Sequence, residues 1–121
     1  MFKTLVLLAA NRYHQEQISF LRSVPGLELL EPTETPQAFW QALCLQHPNL
    51  VILDESIFLD PDLALLARLK SVFPEIACMV FAERFQQMER AAAAGADCVL
   101  LRGFSAKEFF HALEGIHQKR F

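Results

Sequence analysis

The chain has 121 residues, 53% of them hydrophobic and 21% charged, with a net charge of −3 at pH 7. That length and composition suit one packed core over residues 1–121 and exclude a disordered or collagen-like chain. The acidic balance, with no cluster of Lys and Arg, excludes the basic face that grips a nucleic-acid backbone. No apolar run is long enough to cross a bilayer.

In chain order, short apolar runs alternate with longer segments of helical spacing. Thr4–Ala9 is the first strand-length run; one Lys precedes it and no cleavage-type ending follows, so it reads as a buried strand and not as a signal peptide. Arg12–Ser23 is helical in spacing, with Ile18, Leu21 and the Phe20 ring toward one side. Leu27–Leu30 is the second strand. Pro36–Gln46 is a helix with Thr35 as its N-cap and Pro36 at the first position, where a missing N–H costs nothing. Leu50–Leu53 is the third strand and runs straight into Asp54. Asp62–Phe73 carries Leu63, Leu66 and Leu69 on one side and is stopped by Pro74. Ile76–Phe81 is the fourth strand. Arg84–Ala94 is a helix that ends at Gly95. Cys98–Leu101 is the fifth strand. Ser105–Lys119 opens on a capping box, Ser105 with Glu108, and repeats Phe109, Leu113 and Ile116.

The order is β-α five times. Continuous apolar strands, not alternating ones, predict a parallel sheet covered by helices on both faces, a doubly wound α/β domain. In such sheets the functional crevice lies beyond the carboxyl ends of the strands. The residues to weigh are Leu8–Asn11, Asp54–Phe58, Phe81–Arg84 and Arg102–Phe104. Cys44, Cys78 and Cys98 are odd in number and form no CxxC, which fits small buried thiols in a reducing cytoplasm. The four His residues have no zinc-ligand spacing.

From end to end the sequence resembles the receiver domain of bacterial two-component response regulators, above all receivers that precede LuxR-type helix-turn-helix domains. The residues that carry the likeness are "SVPGLELLEPTETPQAFWQALCLQHPNLVILD" and "FPEIACMVFAERFQQMERAAAAGADCVLLRGFSAKEFFHAL". The most specific piece is "AGAD" followed by an apolar strand, a basic residue, a turn and "FS". The resemblance implies a flavodoxin-like (βα)5 fold with the phosphoacceptor position at Asp54. It also implies a metal-holding acidic pair at Leu8 and Ala9, or at Ala9 and Ala10 if the register slips, and neither choice offers a carboxylate. The hydroxyl residue expected at the end of the fourth strand is Phe81, followed by the expected Ala82. The expected Lys is Arg102 and the Pro after it is Gly103. In the loop after Asp54 the usual Pro falls on Phe58 and the usual Gly on Asp62.

These departures predict weak or absent Mg²⁺ binding and therefore no cofactor, because Mg²⁺ needs near-octahedral oxygen ligation to neutralise a transferred phosphoryl group. Arg102 and Asp54 are expected either to form a permanent, two-pronged pair or to stand solvated and weakly coupled. Glu55, Asp60, Asp62 and Glu83 read as solvated loop acids. The expected function is a non-enzymatic, phosphorylation-independent interaction module; the alternative is phosphate transfer from a histidine kinase to Asp54. The resemblance places a docking or dimer face on the fourth helix, fifth strand and fifth helix, drawing on Phe85, Met88, Lys107, Phe110 and His111. Phe109 and Phe110 lie about 100° apart on one helix, so a core that takes one need not take the other. An uncharged ligand could sit near Asp54 and Arg102, but no pattern singles one out. A DNA-binding domain is the expected continuation beyond Gln118–Phe121 if the chain is the regulatory half of a transcription factor.

Overall fold

The structure is a computed structural model and describes residues 2–8, 14–54 and 64–120, the last of these without its side chain. Five strands, β1 (Phe2–Leu7), β2 (Leu27–Leu29), β3 (Leu50–Asp54), β4 (Ala77–Ala82) and β5 (Cys98–Leu101), alternate with five helices. The helices are α1 (His14–Ser23), α2 (Pro36–Gln46), α3 (Ala64–Val72), α4 (Phe85–Ala93) and α5 (Ala106–Arg120). The sheet has the order β2-β1-β3-β4-β5, and every pairing is parallel. This is the flavodoxin-like doubly wound arrangement, with the order reversing between β1 and β3.

Sequence chemistry fixes most element ends. The Thr35 hydroxyl accepts the Ala38 N–H at 3.1 Å, capping α2. At α5 the Ser105 hydroxyl accepts the Glu108 N–H at 3.1 Å while a Glu108 carboxylate oxygen accepts the Ser105 N–H at 3.3 Å, a reciprocal box. Gly95 follows α4 with φ +111°, a backbone that a side-chain-bearing residue would strain. At α4 the Gln87 side-chain oxygen accepts the N–H groups of Glu83 and Arg84, which caps a helix whose start has no Ser, Thr, Asp or Asn.

Strand alternation sends side chains into two cores. Val6, Leu8, Leu50, Ile52, Met79 and Phe81 pack with Ile18 and Leu21 of α1 and Phe109, Leu113 and Ile116 of α5. Leu5, Leu7, Val51, Leu53, Cys78 and Val80 pack on the other face with Phe39 and Leu43 of α2, Leu66 and Leu69 of α3 and Ala91 of α4. Full burial of large side chains such as Phe39, Phe81 and Phe109 contributes about 2–3 kcal/mol each.

Some boundaries differ from the sequence-based expectation. β1 is Phe2–Leu7 and not Thr4–Ala9, because Phe2 and Lys3 pair with Leu27 and Glu28 at the sheet edge. Leu8 remains buried beyond the strand, held by its N–H donating to the Thr33 carbonyl at 3.1 Å. β4 is displaced by one residue, and Arg84 stands just outside α4. Residues Ala9, Ala10, Glu55, Phe58, Asp60 and Asp62 lie outside the described residues.

Candidate functional site

The site is built at the carboxyl ends of β1, β3 and β4, beside the reversal in strand order. Register places Leu53 level with Leu7, Asp54 level with Phe81, and Phe81 level with Leu100. Leu8, one residue past Leu7, continues the row beside Asp54. Alternation along β3 turns Asp54 to the face that Leu50 and Ile52 share, toward α1 and α5. Asp54 is 0% exposed, while Leu8 and Phe81 are buried and apolar. A carboxylate in such surroundings loses its hydration and needs a charged partner.

That partner comes from the turn after β5. The Arg102 N–H donates to the Ala82 carbonyl at 2.7 Å, and the Phe104 N–H to the Leu101 carbonyl at 3.1 Å. Gly103 occupies the third position of this turn with φ +95°, which a four-residue turn of this hand requires. The bend sends the Arg102 side chain back over the sheet. Its Nη2 donates to both Asp54 oxygens, each at 2.8 Å. The contact is therefore one nitrogen spanning both oxygens, not the two-pronged fork expected. Arg102 is 24% exposed, and its Nε stands 3.7 Å from Glu83 Oε1. Glu83, expected as a solvated acid, thus adds a second, looser negative charge to the same guanidinium.

Phe81 does not stand alone. Its ring centroid is 4.9 Å from that of Phe104 and 6.4 Å from that of Phe109. Phe104 stacks on Phe109 at 5.9 Å, and Phe20 of α1 meets Phe109 edge-on at 5.2 Å. The turn that carries Arg102 is thereby tied to the core through Phe104. Among the described residues no group of three or more His, Cys, Asp or Glu gathers in metal-ligand geometry.

The proposed docking set divides. Phe85 at the start of α4 is 73% exposed, and Met88 beside it is half-buried. Lys107 and His111 are exposed and flank Cys98 and Leu100 of β5. Phe110 is 45% exposed, but it borders Phe2, Pro25 and Gly26 on the opposite flank of α5. Phe110 therefore faces a different flank of α5 from His111, about 100° away around the helix, and does not line the groove beside Cys98 and Leu100. Phe109, by contrast, is fully buried.

One structural residue escaped the sequence reading. Asp97, the last letter of "AGAD", accepts from Lys70 Nζ at 3.0 Å and from the Cys78 N–H at 2.8 Å. It clamps α3 and β4 to the entry of β5. The motif was visible, but no spacing rule connects residues 27 apart.

No family model matches the chain, and the search of curated proteins also returned no match. Solved structures do match. A two-component response regulator of the LuxR family from Aurantimonas sp. SI85-9A1 is 12% identical with a TM-score of 0.85, over 99% of this chain and 87% of that one. A DNA-binding response regulator of the LuxR family from Staphylococcus aureus is 19% identical with a TM-score of 0.81, over 96% and 98%. The signal receiver domain of the putative response regulator NarL from Mycobacterium tuberculosis is 13% identical with a TM-score of 0.81, over 98% of both chains. The fold is that of response-regulator receiver domains. At these identities the likeness is one of architecture, and the side chains at its functional end have to be read for themselves.

Proposed function

We propose that this chain is a receiver-type signalling module that works by protein contact and does not depend on phosphorylation of Asp54. The observation that carries this reading is the state of Asp54: fully buried, with both oxygens accepting from Arg102 at 2.8 Å. An added phosphoryl group would bring further negative charge beside Leu8 and Phe81, where among the described residues neither strand end offers a hydroxyl or second carboxylate to receive it. Among the described residues the donor set does not suit Mg²⁺ either, since the Asp54 carboxylate is already committed to a guanidinium. On this reading the module is not an enzyme and keeps no cofactor.

Its output is a protein partner or a second copy, met through the surface of α4, β5 and α5 with Phe85, Met88, Lys107 and His111. An exposed aromatic beside polar residues suits such an anchor. The net charge of −3 argues against direct nucleic-acid binding. No described helix is long and apolar enough to cross a membrane. The module belongs, on this proposal, in the cytoplasm, where receiver partners work.

Beryllofluoride with Mg²⁺ tests the reading directly. The ¹H–¹⁵N spectrum and the melting temperature are expected to stay unchanged, and acetyl phosphate with Mg²⁺ is expected to add no mass. A mass increase localised to Asp54, or shifts spreading from Asp54 to α4, would establish the phosphoacceptor function instead.

A further inference from the structure

On the flank of α5 next to Phe2 lies an open groove of about 460 Å³, lined by Phe2, Pro25, Gly26, Leu113 and His117 with Phe110 at its side. Phe2 and Leu113 are buried, and the His117 ring stands edge-on to Phe2 at 6.2 Å between centroids. The Phe110 ring meets Phe109 at 6.5 Å, yet 45% of Phe110 stays exposed. A single exposed ring is ordinary on a monomer. The charges around this one make it informative. Lys107 and Glu114, both exposed, stand one heptad apart and so within about 20° of each other around the helix. Phe110 lies between them along the axis, about 40–60° to one side. The outer stripe of α5 therefore runs base, ring, acid over a rise of about 10 Å.

That pattern is its own complement. Two α5 helices packed antiparallel about a two-fold axis between Phe110 and His111 bring Lys107 of each copy against Glu114 of the other. Parallel helices would instead set like charge against like. The same axis carries each Phe110 ring toward the apolar groove beside its counterpart. A closed, isologous pair requires self-complementarity of this kind. We infer that this flank of α5 is a contact between two copies of the chain. It draws on one helix of 15 residues and the corner at Pro25 and Gly26, which is small for a permanent dimer, so the pair is weak and reversible. The contact goes beyond the docking surface proposed above, with which it shares only Lys107, and it stands whether or not Asp54 accepts phosphate.

Sedimentation equilibrium of the full chain, from micromolar to millimolar concentration, is expected to show a reversible monomer and dimer. Phe110→Ala is expected to raise the dissociation constant about tenfold or more. Lys107→Glu and Glu114→Lys should each weaken the pair about tenfold, since like charges then meet across the axis twice. An equimolar mixture of those two variants is expected to regain the wild-type affinity to within about threefold, because both contacts between unlike copies then join opposite charges. Leu45→Ala, exposed on α2 across the sheet, is expected to change nothing. All four positions are exposed, so the variants should fold, which ¹H–¹⁵N spectra check. A wild-type chain that stays monomeric throughout, or unaltered association of Phe110→Ala, would overturn the inference. So would a mixture no tighter than its parents, or dissociation by Phe85→Ala in place of Phe110→Ala.

Discussion

Replacing Arg102 with Ala leaves the Asp54 carboxylate inside the protein without the nitrogen that spans both of its oxygens at 2.8 Å. Removing one partner from a buried ion pair costs about 3–5 kcal/mol. The lower end applies here, about 3 kcal/mol, because Arg102 is 24% exposed and water can enter the space it vacates. Asp54→Ala is milder, about 1 kcal/mol, since it removes the buried charge and leaves a guanidinium that reaches water and Glu83. The double variant should then sit close to Asp54→Ala, which makes the two losses non-additive by about 2 kcal/mol or more. Equilibrium urea unfolding at pH 7 measures all four corners of the cycle, and an unchanged slope with urea confirms that stability alone has moved. In thermal scans the Arg102→Ala loss should appear as a drop of about 10 °C for a chain of this size. A loss under about 0.5 kcal/mol for Arg102→Ala, the range of an exposed pair, or simple additivity in the double variant, refutes the permanent pair.

Phe85→Ala should change stability by less than about 0.5 kcal/mol, as expected for an exposed side chain, yet weaken self-association or partner binding in sedimentation experiments. Unaltered association by that variant would remove Phe85 from the docking surface. Ser105→Ala removes the hydroxyl half of the box at α5 and should cost about 1 kcal/mol in urea unfolding; no loss would mean that Glu108 alone holds the helix start. Burial raises the Cys98 thiol above its ordinary value of 9.0, with Lys119 opposing and Asp97 adding to the shift. The folded chain therefore keeps a proton that the unfolded chain releases, so this share of stability is present below pH 9.0 and lost as pH climbs through the folded value. Cys98→Ala should flatten the stability slope there, and equal slopes in the two proteins would refute that origin.

Elements with their own punctuation were legible without a structure. Pro36–Gln46 and Cys98–Leu101 fall where the sequence placed them, the helix because Thr35 and Pro36 define its start and the strand because turn residues bound it. β1 was misplaced by two residues because pairing of Phe2 with Leu27, not hydropathy, decides where a ladder begins. Asp54 and Arg102 lie 48 residues apart; the strand-end rule puts both in the crevice, and the likeness to receivers supplies their pairing. Even then the Nη2 geometry and the approach of Glu83 depend on the turn at Gly103, which family analogy had as Pro. The helical period predicted that Phe109 faces inward with Leu113 and Ile116. It did not tell which neighbour Phe110 would flank, since that depends on how α5 is rotated against β2 and α1.

The charged pair and the aromatic cluster act on the same short turn. Arg102 draws its first half down onto Asp54, and Phe104 anchors its second half between Phe81 and Phe109. In a phosphate-driven receiver this turn has to respond to a group arriving on the carboxylate, which requires the basic residue to be free to exchange partners. Here an exchange would break a buried charge contact and disturb ring packing together, and aromatic pairs contribute about 0.5–1.5 kcal/mol each beyond their buried area. The two restraints also explain why Phe81 and Arg102 belong to one reading. A hydroxyl at position 81 would open the cluster under Phe104, and the turn would keep Arg102 and only the looser ring contacts to Phe109 and Phe20. With both in place, the turn between β5 and α5 is held from both of its ends. On the proposed reading, a module built this way would take its sensitivity from the affinity of its docking surface and not from a covalent state of Asp54.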